Sequence, residues 1–460
     1  MMSVVYAVVI AGRIPQDSLH SLGRKGASVL DLTTLAGHKL SSTSKGVPDV
    51  LGGVAVADVP TRRLNLLKQA FPAPVAVLRQ SAIRANIDLM RQYTQSAGVE
   101  LAPHGKTTMA PQLFDMQLEA GAWGLTCATA AHLRLYRRFG VPRIVMANQL
   151  LDADSVQFVA RQLAEDPGFE FFGIVDSVAG AQRYFEVLSK MPRSRPLNLL
   201  LEVGAMGGRT GLRTVEDAAA VAQEIGKMSG SGLLRLAGIE AFEGIFGGTP
   251  REAETHVAAF MERVSEVARR CDADGSFGAD EVILTAGGSA FFDQVVTALK
   301  GIQLSRRTKV VLRSGCYITH DHGFYASALD RLRERSAGSN SVFVSNTFVP
   351  ALELWTTVQS LPEPGLAIIA LGKRDVSFDM GLPVPLMYLV DGQPVSIRGR
   401  AEIVKLNDHH GYLKLNGMSL AVGDRIAVGI SHPCTTFDRW QYLYVVNDQY
   451  DVVSVVRTFF

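Results

Sequence analysis

The chain has 460 residues, 47% of them apolar and 20% charged, with a formal net charge of +2, the composition of an ordinary globular protein with a large core and roughly one to three domains. The near-neutral balance, without basic runs, heptad arrays or aromatic-basic ladders, argues against a nucleic-acid surface, and no apolar run approaches the roughly 18 residues of a membrane span. Four cysteines, Cys127, Cys271, Cys316 and Cys434, are scattered without a CxxC pair, which points to a reducing, cytoplasmic compartment rather than a disulfide framework.

Residues 1–70 show weak periodicity and are taken as an N-terminal extension. Residues 4–10 are apolar and fit a strand; they lack the basic flank and long apolar stretch of a signal peptide. Residues 31–54, rich in Gly, Ser and Thr, fit a lid, an oligomer arm or an extension of a distant domain. From residue 71 the pattern becomes regular. Val75-Ala76-Val77-Leu78 is a short apolar strand, followed by helical spacing over 82–97. Strands are then predicted at 98–104, 124–129, 143–149, 169–176, 197–204, 234–242, 281–286 and 308–314, with amphipathic stretches between them. Continuous apolar runs such as Ile144-Val145-Met146 and Leu199-Leu200-Leu201 suit strands buried on both faces of a parallel sheet. Eight strand-plus-helix units predict a (β/α)8 TIM barrel over 71–335. A doubly wound open sheet is the weaker alternative, because no GxGxxG follows an early strand. Over 336–460 the grammar changes to short strands, at 342–344, 352–358, 366–370, 398–405, 412–415, 425–428 and 441–446, separated by Gly, Pro, Asn and Asp. This predicts a second, all-β domain.

In a barrel, the groups at the C-terminal strand ends converge on one site. The first strand ends at His104 and Lys106, in a turn where ligands bind. A lysine packed against apolar strand ends loses its proton more readily, because desolvation disfavours the ammonium form, and the neutral amine condenses with aldehydes. A solvated loop lysine is the competing reading. The seventh strand ends at Gly287-Gly288-Ser289, whose bare N–H groups and hydroxyl at a helix start suit an anion such as phosphate. Arg209, between Gly208 and Gly211, is a cation on a tight loop, placed for a phenolic oxygen, a carboxylate or a ring nitrogen. In the second domain, His432 and Cys434 offer imidazole and thiolate two positions apart, a donor set for a borderline-soft divalent ion. His320-Asp321-His322 is a rival cluster, read as a polar loop at the barrel mouth. His409 and His410 are read as solvated, and Cys127 and Cys271 as packing residues.

Together the PHGKT turn at 103–107, the GGRTG loop at 207–211, TAGGS at 285–289, RSGCY at 313–317 and the late HPC at 432–434 resemble the fold-type III pyridoxal-phosphate enzymes. Within them the chain is similar to the D-serine dehydratase and D-threonine aldolase group, with its alanine-racemase-like barrel. The resemblance runs from about residue 72 to the C-terminus. It implies that Lys106 forms the Schiff base with pyridoxal 5'-phosphate, and that His104 and Arg209 contact this cofactor. It also implies that Gly287, Gly288, Ser289, Gly315 and the Cys316 or Tyr317 backbone hold the phosphate. His432 and Cys434 would bind a divalent metal (Zn or Mn) that meets the substrate's β-hydroxyl. His-x-Cys favours a D-amino acid dehydratase; an aldolase of the same site is the alternative. Ala102 stands where the family usually has an arginine, which puts the substrate carboxylate contact in question. A cytoplasmic homodimer acting on small D-amino acids is implied by resemblance alone. Two other readings stay open: a non-catalytic cofactor-binding protein, and a barrel enzyme on phosphosugars with Lys106 as its Schiff-base lysine.

Overall fold

The computed structural model describes residues 28–68, 71–193 and 195–460; the strand predicted at 4–10 lies outside them. After β1 (Val75–Arg79) come eight strands, β2 (Glu100–Leu101), β3 (Leu125–Cys127), β4 (Arg143–Gln149), β5 (Glu170–Val175), β6 (Leu197–Val203), β7 (Leu234–Ala241), β8 (Glu281–Ala286) and β9 (Arg307–Leu312). They form one parallel sheet in the order β2-β9-β8-β7-β6-β5-β4-β3. The sheet closes on itself just past β2: His104 bridges Thr126 in parallel register, the Trp123 N–H donates to the Leu101 carbonyl, and the Thr126 N–H donates to that of Pro103. The (β/α)8 expectation is met, and every predicted barrel strand overlaps an observed one.

The apolar runs separate into two cores. Ala102, Val145, Phe172, Leu200, Ile283 and Val311 fill the barrel interior, whereas their neighbours along each strand pack outward against the helices. This is the period-two division of a strand buried on both faces. Most loops that leave the C-terminal strand ends start their helix on a short polar side chain. Thr129, Asp152, Ser177 and Thr214 each accept an N–H of the first turn, and Thr249 with Glu252 makes a reciprocal capping box.

The second sheet is built from β1 with β10 (Leu352–Glu363), β11 (Leu366–Ile369), β12 (Val384–Val390), β13 (Gln393–Ser396), β14 (Ala401–Leu406), β15 (Gly411–Leu415), β16 (Arg425–Gly429), β17 (Tyr442–Val446) and β18 (Val452–Arg457). Its order is β13-β12-β16-β10-β1-β17-β18, with β11, β15 and β14 continuing from the far half of β10. Pairing is antiparallel except between β1 and β17. Two expectations are corrected here. The strand at 75–78 belongs to this sheet rather than to the barrel side of the chain, and Val342–Val344 is a 3-10 turn. Phe343 of that turn is fully buried against Tyr93, Phe292 and Phe348. Of the three readings for 31–54, the structure supports the extension of a distant domain. Leu40, Val47, Leu51 and Val54 share a core with Val75, Trp355 and Tyr444 of the second sheet. No described helix is long and apolar enough to cross a membrane.

The two sheets meet beside the Lys106 turn. The Phe459 N–H, just past β18, donates to the Met109 carbonyl, and the turn after β16 brings Cys434 to Thr107, with 3.5 Å between Sγ and Oγ1. Loops of the barrel and of the second sheet thus wall one cavity.

Candidate active site

The cavity, about 630 Å³, opens at the C-terminal end of the barrel and takes in His104, Lys106, Arg209, Gly287, Gly288, Ser289, Gly315, His432 and Cys434. Nine of the ten expected site residues therefore face one space. The exception is Tyr317: its side chain is buried outside the cavity, where Gln117 donates to its hydroxyl at 3.0 Å. Only its backbone remains available for the assigned role.

Lys106 lies in a single 3-10 turn, Gly105–Thr107, held between β2 and the helix Pro111–Glu119. Its side chain is exposed into the cavity rather than packed against apolar strand ends. His104 beside it is neutral: burial, reinforced by the Lys106 charge, holds its imidazole well below the usual range. Its Nδ1 is buried without a partner.

The glycine turn after β8 behaves differently from its sequence reading. The Gly287 and Gly288 N–H groups donate to the Glu243 carboxylate, at 3.0 and 2.6 Å. Glu243 is fully buried, and burial pushes its carboxyl upward while these N–H groups pull it back. The two glycines thus fasten the turn to the end of β7. An anion is left to the next residues, where the helix Phe292–Lys300 begins at Phe291 without any side-chain cap. That helix start, unlike the capped ones around the rim, retains free N–H groups for an anion. Gly287 has a left-handed φ of 101°, and Gly315 is pressed so closely on the first-strand loop that a β-carbon there would overlap the His104 carbonyl oxygen. Gly315→Ala is expected to push these loops apart, costing about 1–3 kcal/mol, read as a lower denaturant midpoint together with weaker cofactor retention.

An ionic frame underlies the cavity floor. Arg313, after β9, donates to Glu240 Oε1 at 2.6 Å, to the Ala241 carbonyl at 2.9 Å and to Thr285 Oγ1 at 3.0 Å. The Glu240 Oε2 atom is buried with no partner. Burial pushes the Glu240 carboxyl up to about 7 while the Arg313 guanidinium pulls it down. Glu202 is held by Thr210 and, at 2.8 Å, by Gln149. Arg209 stacks on the Phe242 ring at 5.0 Å, which fixes the guanidinium over the aromatic wall.

At the second-sheet side, His432 Nδ1 lies 2.7 Å from Asp379 Oδ2, and Thr435 donates to the other Asp379 oxygen at 2.7 Å. With Nδ1 tied to a carboxylate, Nε2 is the nitrogen free to ligate. Cys434 Sγ lies 3.6 Å from Cys316 Sγ. The hydrogen bond from Cys434 draws the Cys316 thiol below its ordinary range, and sharing that one proton drives Cys434 upward. The rival cluster is structural. Asp321 accepts the Gly323, Tyr325 and Ala326 N–H groups, and His322 packs on Gly429 just before the His432 turn. His409 and His410 are exposed, while Cys127 and Cys271 are core residues.

The uncapped helix start after Ser289 and the flat wall of Phe242 with Arg209 fit a phosphorylated aromatic aldehyde. The oriented imidazole beside a thiol fits a divalent ion. The sequence shows Arg313 only as part of the RSGCY motif, and it assigns no role to Glu243, Glu240 or Asp379. Glu240 sits in an ordinary apolar strand, and Asp379 has no spacing signal linking it to His432.

Residues 351–446 match the family described as "Putative serine dehydratase domain". The chain is similar to the 3-hydroxy-D-aspartate aldolase of Paracoccus denitrificans (strain Pd 1222), at 22% identity over 394 residues, 83% of this chain and 90% of that protein. The crystal structure of D-threonine aldolase from Filomicrobium marinum superimposes with a TM-score of 0.70 at 20% identity, covering 86% of this chain and 97% of that one. A cysteine-to-alanine mutant of D-threo-3-hydroxyaspartate dehydratase, in the metal-free form, gives 0.66 at 20% identity, covering 86% and 99%. The barrel and its companion β domain define an alanine-racemase-like architecture. Within it, the chain is similar to 3-hydroxy-D-aspartate aldolase and D-threonine aldolase, and its second domain matches the serine dehydratase domain.

Proposed function

We propose that the protein is a pyridoxal-phosphate- and divalent-metal-dependent lyase that dehydrates β-hydroxy D-amino acids to a 2-oxo acid and ammonia. The observation that carries this reading is the meeting of Lys106, the uncapped helix start after Ser289, and the His432–Cys434 pair on one cavity. When bound, the cofactor supplies an electron sink and the ion supplies Lewis-acid polarisation of a hydroxyl.

The chain's own groups divide the remaining work. Lys106 Nζ is the amine that captures the aldehyde and, once released, takes the substrate's α-proton. Arg313, anchored by Glu240, presents a fixed cation at the cavity floor, and Phe242 with Arg209 forms a flat wall for an aromatic ring. His432 and Cys434 hold the ion on the second-sheet side, so a β-hydroxyl directed at them leaves the α-carbon turned toward Lys106. Asp379→Asn removes the carboxylate that orients His432. It is expected to weaken zinc binding about 10–100-fold, by the usual cost of losing such a support, measured by competition with a chromogenic chelator.

A second reading is retro-aldol cleavage to glycine and an aldehyde, favoured by relatives that carry aldolase names. Product analysis on D-serine, D-threonine and D-3-hydroxyaspartate separates the two. Ammonia with a 2-oxo acid supports dehydration, glycine with an aldehyde replaces it by cleavage, and neither product from any of these substrates rejects the proposed activity.

A further inference from the structure

We propose that Cys316 is a third protein ligand of the divalent ion, beside His432 and Cys434, so that the centre is a two-thiolate zinc site. This rests on the metal-dependent reading above and extends it to a residue outside the His-x-Cys pair.

The geometry is the first argument. Cys316 follows β9 on the barrel side and Cys434 follows β16 on the second-sheet side, yet their sulfurs stand 3.6 Å apart. Two thiolates on a tetrahedral zinc, each at about 2.3 Å, lie about 3.8 Å from one another. The sulfurs are thus already at the spacing that one ion spans.

The surroundings are the second argument. Cys127 and Cys271 are buried inside the apolar core, as unreactive cysteines are. Cys316 is almost as buried, at 5% exposure, but it lies outside every apolar cluster among the described residues. The Thr107 hydroxyl contacts it at 3.7 Å and Cys434 at 3.5 Å. It lines the same cavity as His432 and Cys434. A sulfur that touches the Thr107 hydroxyl and the Cys434 thiol at a cavity edge is arranged for ligation as well as for packing.

Among the described residues no trio of His, Cys, Asp or Glu stands preassembled around an ion. The thiol pair is in place, and His432, its Nδ1 fixed by Asp379, closes on it as the ion enters and the thiols release their protons to solvent. Three protein ligands leave one position of a tetrahedral zinc for a substrate oxygen, as a catalytic centre requires. Two sulfurs also select zinc over manganese, which takes harder oxygen donors.

The test is X-ray absorption at the zinc edge on the full chain loaded with cofactor and one equivalent of zinc. The expected wild-type spectrum requires two sulfur neighbours, falling to one in Cys316→Ser. Zinc affinity should drop at least about tenfold in both Cys316→Ser and Cys316→Ala, a loss no smaller than that of an orienting group. A wild-type spectrum with a single sulfur, abolished by Cys434→Ser, overturns the role of Cys316 and leaves the His432–Cys434 site standing. A wild type that retains no zinc overturns both. The wild-type spectrum decides the question even if a variant fails to fold.

Discussion

Lys106→Ala is expected to lower kcat by at least about 10³–10⁴-fold, because the proposed function makes one amine both the aldehyde's covalent partner and the base for the α-proton. The purified variant should also lose the visible absorption of lysine-linked cofactor while its unfolding midpoint stays near that of the wild type. Lys106 makes this separation possible: its side chain is exposed in the cavity, so removing it leaves no hole in the core. Lys106→Arg keeps the charge but cannot form the covalent link, and it should be as inactive as alanine. Retention of the absorption band by either variant would assign the covalent role to another residue.

The second large effect is on stability. Arg313→Met takes the partner from a carboxylate that is itself 3% exposed and lies 2.6 Å away. Breaking a buried pair from one side costs about 3–5 kcal/mol, read as a fall in the urea midpoint. The pH dependence has a definite sign. Glu240 already titrates above the ordinary 4.5, at about 7, because burial opposes its charge; without Arg313 it rises further. A carboxyl raised in the folded state supports folding below its ordinary value and loses that support as pH climbs through the folded one. The deficit of Arg313→Met should therefore be small near pH 5 and grow toward pH 8. Adding Glu240→Met to make the double variant should restore more than half of the loss, since an apolar pair of similar volume removes the stranded charge.

The barrel was legible because its strands carry continuous apolar runs with polar, helix-capping residues at their ends; each such signal is local. The pairing partners of those runs were not. Ala76, Val77 and Leu78 are buried on both faces, just as barrel strands are, and nothing nearby says that their neighbours are β10 and β17. In the β domain, β12, β13 and β18 escaped detection. Pro385 and Pro394 interrupt the first two, and β13 is exposed at all four positions, so no alternation survives. At the site, the candidate residues marked by type and motif (Lys106, His432, Cys434) were readable. Those that bind by position, such as Glu243 under the glycine turn, were not, because a carboxylate that accepts two backbone N–H groups leaves no sequence pattern.

The placement of β1 also bears on how the chain matures on the ribosome. β1 is synthesised before any barrel strand, yet the two strands flanking it, β10 and β17, emerge only after the barrel sequence has been made. Until then it is an apolar strand with two open edges, the kind of segment that seeks pairing with other chains. A nascent or C-terminally truncated polypeptide would carry a finished barrel tethered to an adhesive flank, so deletion of even the last strands is expected to cause aggregation rather than leave a soluble, inactive barrel.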